Sequence, residues 1–287
     1  MSLNPREPSL PLRAVAGLVL ALLAMQANAK PVHDPKLKSS SVLIIDQGDS
    51  SVLYSRHSDV PMPIASITKL MTALVVLDAK QPLDEPIKIT DADRDPAKGG
   101  FSRLAVGTVL TRGDLMHLAL MSSENRAAHA LGNNYPGGVP AMVAAMNAKA
   151  AALGMASSRF VDPTGLSSQN VASPEDLSKL VIAASRDPSI REYSTDRRYA
   201  VKVRRHMVEF HNTDNLVANP TWNIIVQKTG YIAEAGKCLV MAAVIEGRSV
   251  VIVLLDSFGK YTRVADAKRI KTWMESSANE RVQVSMR

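Results

Sequence analysis

The stretch "MPIASITKLMTALVVLDAK" (residues 62–80) decides how the chain is read. Leu70, Ala73, Leu74 and Leu77 recur at helical spacing, and Val75 and Val76 fill the gaps, so the segment reads as a largely buried helix. Lys69 sits one turn from its start, three residues after Ser66. Burying an ammonium is costly. The ordinary outcome is a lysine that snorkels to solvent beside a serine that caps the helix. The chemical outcome is an amine held against a hydroxyl. The rest of the chain chooses between them.

The 287 residues are 46% hydrophobic and 21% charged, a globular composition. Residues 1–29 form a separate object. Arg6 and Arg13 precede the apolar run "AVAGLVLALLAM" (residues 14–25), and "ANA" (residues 27–29) is a small-x-small cleavage site. This is the pattern of a secretory signal peptide cleaved after Ala29, so the protein is expected to be exported. No Cys directly follows the apolar run, and no later segment is long and apolar enough to span a membrane. The leader carries Arg6, Arg13 and Glu7, so its removal leaves 32 basic and 26 acidic residues against 34 and 27 in the full chain, a net +6. A basic exported protein suits an acidic polymer such as peptidoglycan, although a solvated surface explains the charge equally well. The single Cys238 forbids an internal disulfide and lies in an apolar strand-like run, where it acts as a small hydrophobe.

Four segments are expected: the signal peptide (1–29), a flexible leader (30–40), one domain (41–277) and a tail (278–287). "SVLIID" and "SVLYS" read as a hairpin about "QGDS". Helical patterns follow from Ser66 to about Asp187. In "SPEDLSKLVIAAS", Ser173 is the predicted N-cap, Pro174 the first helical residue and Asp176 the partner in a capping box. "WNIIVQ", "KCLVMAAVIE" and "RSVVIVLLDSF" are apolar on both faces, so helices must cover both sides of the sheet they build. The helix from Ser66 and a C-terminal helix, "RVADAKRIKTWMES", are the expected covers. The whole is α/β (α+β): strands from both chain ends join in one antiparallel sheet, with a helical block inserted between them.

Three short signals carry chemistry. Ser66-Ile-Thr-Lys69 is an S-x-x-K, a pattern that recurs about once in a few hundred residues. Ser257-Phe-Gly-Lys260 also matches, but it follows a strand and has a Gly, so it reads as a turn. Only the first copy opens a helix, where residues three apart share a face. Burial and the electropositive helix start both lower an amine's pKa, and a neutral Lys69 could take the proton of Ser66. Ser123-Glu-Asn125 is an S-x-N at the junction of two helices. Ser2-Leu-Asn4, Ser168-Gln-Asn170 and Ser277-Ala-Asn279 fit the same pattern in the leader, a polar loop and the tail. Lys228-Thr229-Gly230 follows a strand, so Lys228 and Thr229 point to opposite faces, and Gly230 leaves the strand edge open to a substrate backbone.

In order and spacing these signals resemble the triple signature of penicillin-interactive serine acyltransferases. "ALMSSENRAAHALGNNYPGG", "RFVDPTGLS", "FHNTDNL", "WNIIVQKTG", "GKCLVM" and "FGKYTRVADA" extend the resemblance to the low-molecular-mass penicillin-binding D,D-peptidases, and more narrowly to their D-alanyl-D-alanine endopeptidase branch. It spans residues 40–276. It implies the β-lactamase/transpeptidase-like fold, with a five-stranded antiparallel sheet, and a cell-wall hydrolase without cofactor or metal. By motif, Ser66 is the acylated nucleophile and Lys69 its base. Ser123 relays a proton to the leaving amine, and Asn125 holds a substrate amide. Lys228 sets the electrostatics, and Thr229 binds the carboxylate beside the scissile bond. The N–H groups of Ser66 and Tyr231 form the oxyanion hole. Where many relatives carry a hydroxyl two places after the Gly of K-T-G, this chain has Ile232.

The implied partners are peptidoglycan peptide cross-links, with β-lactams as covalent inhibitors. A D-alanyl-D-alanine carboxypeptidase, a β-lactamase and a non-catalytic wall-binding protein share the fold. Other chemistries lack support. There is no G-x-S-x-G, and none of His33, His57, His117, His129, His206 and His211 lies in a catalytic context. No zinc-ligand spacing and no Gly-rich phosphate loop occurs, and nothing points to nucleic acid. Related carboxypeptidases continue into a β-rich domain and an amphipathic membrane anchor, and this chain ends before either.

Overall fold

Strands from the two ends of the chain meet in the middle of the main sheet. In the computed structural model, residues 34–94 and 102–285 are described, with side chains of the last helix described through residue 276. The chain divides into two units, Met1–Pro35 and Lys36–Arg287, and every element described lies in the second. The expected signal peptide lies outside the described residues.

In order the elements are β1 (Ser39–Asp46), β2 (Val52–Arg56), β3 (Met62–Pro63), α1 (Thr68–Asp78), β4 (Pro86–Lys88), β5 (Val109–Thr111), α2 (Arg112–Met121), α3 (Asn125–Asn133), α4 (Gly138–Ala152), β6 (Val171–Ala172), α5 (Pro174–Ala184), α6 (Pro188–Thr195), β7 (Arg198–Val203), β8 (His206–His211), β9 (Asn223–Ile232), β10 (Gly236–Ile245), β11 (Arg248–Ser257) and α7 (Thr262–Ser285). The five-stranded sheet runs β2-β1-β11-β10-β9, all neighbours antiparallel. The β10–β11 hairpin turns on Glu246 and Gly247, both at positive φ, the conformation that a two-residue turn between twisted strands requires.

Both faces of the sheet are covered, but one cover differs from expectation. Val42, Ile44, Leu239, Met241, Ile252 and Leu254 pack on Ala267, Ile270, Trp273 and Met274 of α7. Leu43, Val240, Ala242, Val251 and Val253 face the other way, toward Leu177, Leu180, Val181 and Ala184. That second cover is α5, not the helix that follows Ser66. Instead α1 is surrounded by α2, α3, α4 and α5, which explains why it is apolar nearly all round. The capping box at α5 is only half made. Ser173 caps Asp176 N–H, but the Asp176 carboxylate takes Ser157 N–H, Ser158 Oγ and Lys179 Nζ.

Two boundaries also move. The leader is not loose beyond residue 35. Leu37 is buried, and the fully buried Asp266 of α7 accepts Ser39 N–H at 2.7 Å, Lys38 N–H at 2.9 Å and Arg269 Nη1 at 2.5 Å. An interior carboxylate needs such partners, and they fasten the first strand to the last helix. The expected tail from 278 continues the backbone of α7 to Ser285, since no Gly or Pro interrupts it.

Candidate active site

β9 is an edge strand, yet Lys228, Thr229 and Gly230 are all buried, because the turn Ala65–Ile67 that opens into α1 lies against that edge. Two glycines set how closely. A Cβ on Gly230 would stand 2.8 Å from Ile64 O and 3.3 Å from Ser66 N. A Cβ on Gly165, which is at φ +81°, would stand 1.9 Å from Ala65 O. Gly230 therefore brings β9 up against the Ser66 turn, a packing role beyond the expected open edge. Ala65, at φ 48°, is held in a conformation that L-residues avoid, as strained residues beside reactive groups often are.

Lys69 does not snorkel. It is fully buried, and Nζ lies 2.8 Å from Ser66 Oγ, 2.8 Å from Asn125 Oδ1 and 2.7 Å from Thr164 O. Burial lowers its pKa from 10.5 to about 7, against the opposing pull of Asp162 and Glu124. That fall amounts to about 5 kcal/mol of lost preference for the ammonium. The six apolar residues Leu70, Met71, Ala73, Leu74, Val75 and Val76 are buried on the same helix. At about 1.5–3 kcal/mol for each large side chain, they outweigh that cost.

Asn125 opens α3, and Ser123 sits in the hinge between α2 and α3 at φ 59°. Glu124, between them, caps α3 through Arg126 N–H and accepts Ser102 Oγ at 2.7 Å. The Ser123 hydroxyl makes no hydrogen bond among the described residues. Lys228 Nζ donates to Thr229 O at 2.9 Å. Its burial, and then the charges of Lys69 and Arg263, push its pKa well down, while Asp214 pulls the other way. The Thr229 hydroxyl meets that of Thr213 at 2.6 Å. The side chain of Tyr231 is exposed, whereas Ile232 is buried in the apolar core. Among the described residues no group of three or more His, Cys, Asp or Glu could hold a metal.

Three participants escape a sequence reading. The carbonyl of Thr164 has no residue signature, since any residue supplies one. It is delivered by Asp162, whose carboxylate gathers Thr164 N–H, Gly165 N–H, Ser167 N–H and Asn170 Nδ2 at 2.6–3.1 Å. Arg263, near the start of α7, donates from Nη1 to Gly230 O at 3.0 Å, and its buried Nε has no partner among the described residues. It brings a cation to the strand where Ile232 offers no hydroxyl. Asp214 is buried, with Oδ1 on Leu216 N–H and Oδ2 unpaired among the described residues.

A sequence-family model for D-alanyl-D-alanine carboxypeptidase matches residues 28–259. The chain is 51% identical over 243 residues to a D-alanyl-D-alanine endopeptidase of Pseudomonas aeruginosa strain PAO1, covering 84% of this chain and 78% of that one. It is 47% identical over 256 residues to a D-alanyl-D-alanine endopeptidase of Escherichia coli strain K12, covering 88% and 83%. The crystal structure of the Streptomyces K15 DD-transpeptidase superposes with a TM-score of 0.78 at 28% identity, over 83% of this chain and 97% of that one.

Proposed function

Since the chain belongs to the D-alanyl-D-alanine carboxypeptidase family, we propose that it is a periplasmic serine D,D-endopeptidase, cleaving D-alanyl cross-links of peptidoglycan through an acyl-enzyme on Ser66. The observation that carries the mechanism is the environment of Lys69 Nζ. Asn125 Oδ1 and Thr164 O can only accept, so the two N–H bonds of a neutral amine go to them. Its lone pair is then left for the Ser66 hydroxyl at 2.8 Å. Ser66 Oγ attacks the D-Ala carbonyl carbon as its proton passes to Lys69 Nζ. The oxyanion rests on the N–H groups of Ser66 and Tyr231. Ser123 relays the proton from Lys69 to the departing amine as the carbonyl C–N bond breaks, and a water that gives its proton to the freed Lys69 amine then hydrolyses the ester, the proton returning to Ser66 Oγ. Lys228, Thr229 and Arg263 hold the carboxylate beside the scissile bond, and Asn125 a substrate amide. The periplasmic assignment rests on the leader of residues 1–29. No described helix is long and apolar enough to cross a membrane.

The test of the endopeptidase reading is substrate preference. In a cross-link the leaving nitrogen belongs to a D-centre bearing a carboxylate, and terminal D-Ala offers the same local group. The site therefore accepts either locally, and space beyond the bond decides. Digestion of purified cross-linked dimer is expected to outpace D-Ala release from monomeric pentapeptide. The reverse order would make the enzyme a carboxypeptidase.

β-Lactams test the fate of the acyl-enzyme. Fast deacylation needs a carboxylate free to activate water, and the three acids in and after the loop that follows α4 are engaged. Asp162 organises its loop, Asp176 holds Ser157 and Ser158, and Glu175 Oε1 accepts Ser58 Oγ at 2.9 Å. Mass spectrometry is expected to show one drug on the tryptic peptide 57–69, persisting for minutes. Decay within seconds, with bulk drug hydrolysis, would assign a β-lactamase.

A further inference from the structure

One end of the sheet exposes three aromatic side chains together. Tyr231 is 59% exposed, Phe258 92% and Tyr261 66%. Single exposed apolar residues are ordinary, but an aromatic group this bare leaves its burial energy uncollected and marks a contact surface. The strand register places Tyr231 at the end of the sheet where β11 stops: Tyr231 lies opposite Lys237 and Lys237 opposite Ser257, and Phe258 and Tyr261 follow in the turn to α7. Lys237 Nζ lies 3.9 Å above the Tyr231 ring, and Lys260 Nζ 5.3 Å from that of Tyr261. Ser257-Phe-Gly-Lys260, the S-x-x-K copy without a helix, is the turn that presents this surface. Gly259 sits at φ 91°, and Thr262 Oγ1 donates to Phe258 O. Glu234 and Asp256 lie at the same end, so the patch is not a simple anion trap, and recognition falls to the aromatic faces.

The patch borders the active site along the chain. Tyr231 follows Gly230, whose backbone packs against the Ser66 turn, while the Tyr231 side chain leaves the α7 face of β9, and Arg263 of α7, two residues after Tyr261, reaches Gly230 O. We propose that Tyr231, Lys237, Phe258, Lys260 and Tyr261 form a subsite for the leaving peptide strand of a cross-link, and that this contact sets the preference for cross-links over terminal D-Ala. The inference rests on the endopeptidase reading. Terminal D-Ala ends at its own carboxylate, beside Lys228 and Thr229. A cross-link continues beyond that point into a peptide with methylenes, amides and further carboxylates. Methylene and amide faces stack on the three rings, and the carboxylates reach Lys237 and Lys260.

The full chain carrying Phe258→Ala and Tyr261→Ala tests this, since neither residue belongs to the catalytic or carboxylate-binding machinery. Cleavage of cross-linked dimer is expected to fall about tenfold in kcat/KM, mainly through KM, as lost ring contacts imply. D-Ala release from pentapeptide and the rate of penicillin acylation are expected to stay at wild-type values. Parallel losses on dimer, pentapeptide and penicillin would mark a structural role and overturn the proposal. Unchanged dimer cleavage would overturn it too, and weakened binding to anionic phospholipid vesicles in that case would reassign the patch to a membrane. A wild-type enzyme that penicillin acylates but that leaves dimers intact would withdraw the endopeptidase reading, and the subsite with it.

Discussion

Ser66→Ala is expected to abolish penicillin acylation and to lower peptide hydrolysis by about 10⁴-fold or more, the scale seen when a nucleophile that works as a unit with its base is removed. The argument is geometric. Among the described residues Ser66 Oγ is the only hydroxyl hydrogen-bonded to Lys69 Nζ, and the K-T-G strand lies so close that a Cβ on Gly230 would stand 3.3 Å from Ser66 N. The fold should survive. The substitution removes one hydrogen bond, worth about 1 kcal/mol, while Lys69 keeps Asn125 and Thr164. The melting temperature is therefore expected to move by only a few degrees. An alanine variant that still carries a penicillin adduct, or that retains a tenth of wild-type hydrolysis, would move the nucleophile elsewhere.

The sequence exposes some parts of this molecule far better than others, for physical reasons. The three long strands near the C-terminus are legible because β-branched residues run continuously through them and turn residues divide them. The faces of α7 are legible because Ile270, Trp273 and Met274 recur at helical spacing. Ser66 with Lys69 is legible because both are side chains, three apart, at one helix start. What hides is what depends on distance along the chain or on backbone atoms. The environment of Lys69 is completed by the carbonyl of Thr164, 95 residues away, in a loop whose polar sequence resembles any other. Gly165 and Gly230 look like a turn and a strand end, and only their contacts with Ala65 and Ile64 show that they shape the Ser66 turn. Apolarity all round α1 told of burial but not of neighbours, and so α5 rather than α1 covers the sheet.

The reaction depends most directly on whether Lys69 is an amine. At pH 7 an ordinary lysine, with a pKa near 10.5, is a free base in only about 0.03% of molecules, whereas a pKa of about 7 makes it so in about half, a gain of about a thousandfold. Lys69→Met is expected to lose about 10³-fold or more in acylation rate, because it keeps length and apolar bulk but offers no proton acceptor. Lys69→Arg is expected to be as damaging, since a guanidinium stays protonated and cannot serve as base. The methionine variant guards against misfolding, for it places no charge in a site where burial already disfavours the ammonium. The pH dependence has a definite sign. The folded pKa is depressed, so the amine is present above about pH 7, and wild-type acylation should fall on the acid side of that value. Stability should follow the same direction: between about pH 7 and 10.5 the unfolded lysine binds the proton that the folded one has lost, so stability rises with pH across that window and is lowest below it. In Lys69→Met both the acid limb of acylation and this contribution to the stability slope should vanish. Acylation by penicillin at a constant rate from pH 5 to 9 in the wild type, on the order of the full range over which Lys69 would titrate, would refute Lys69 as the base even if its replacement were inactive.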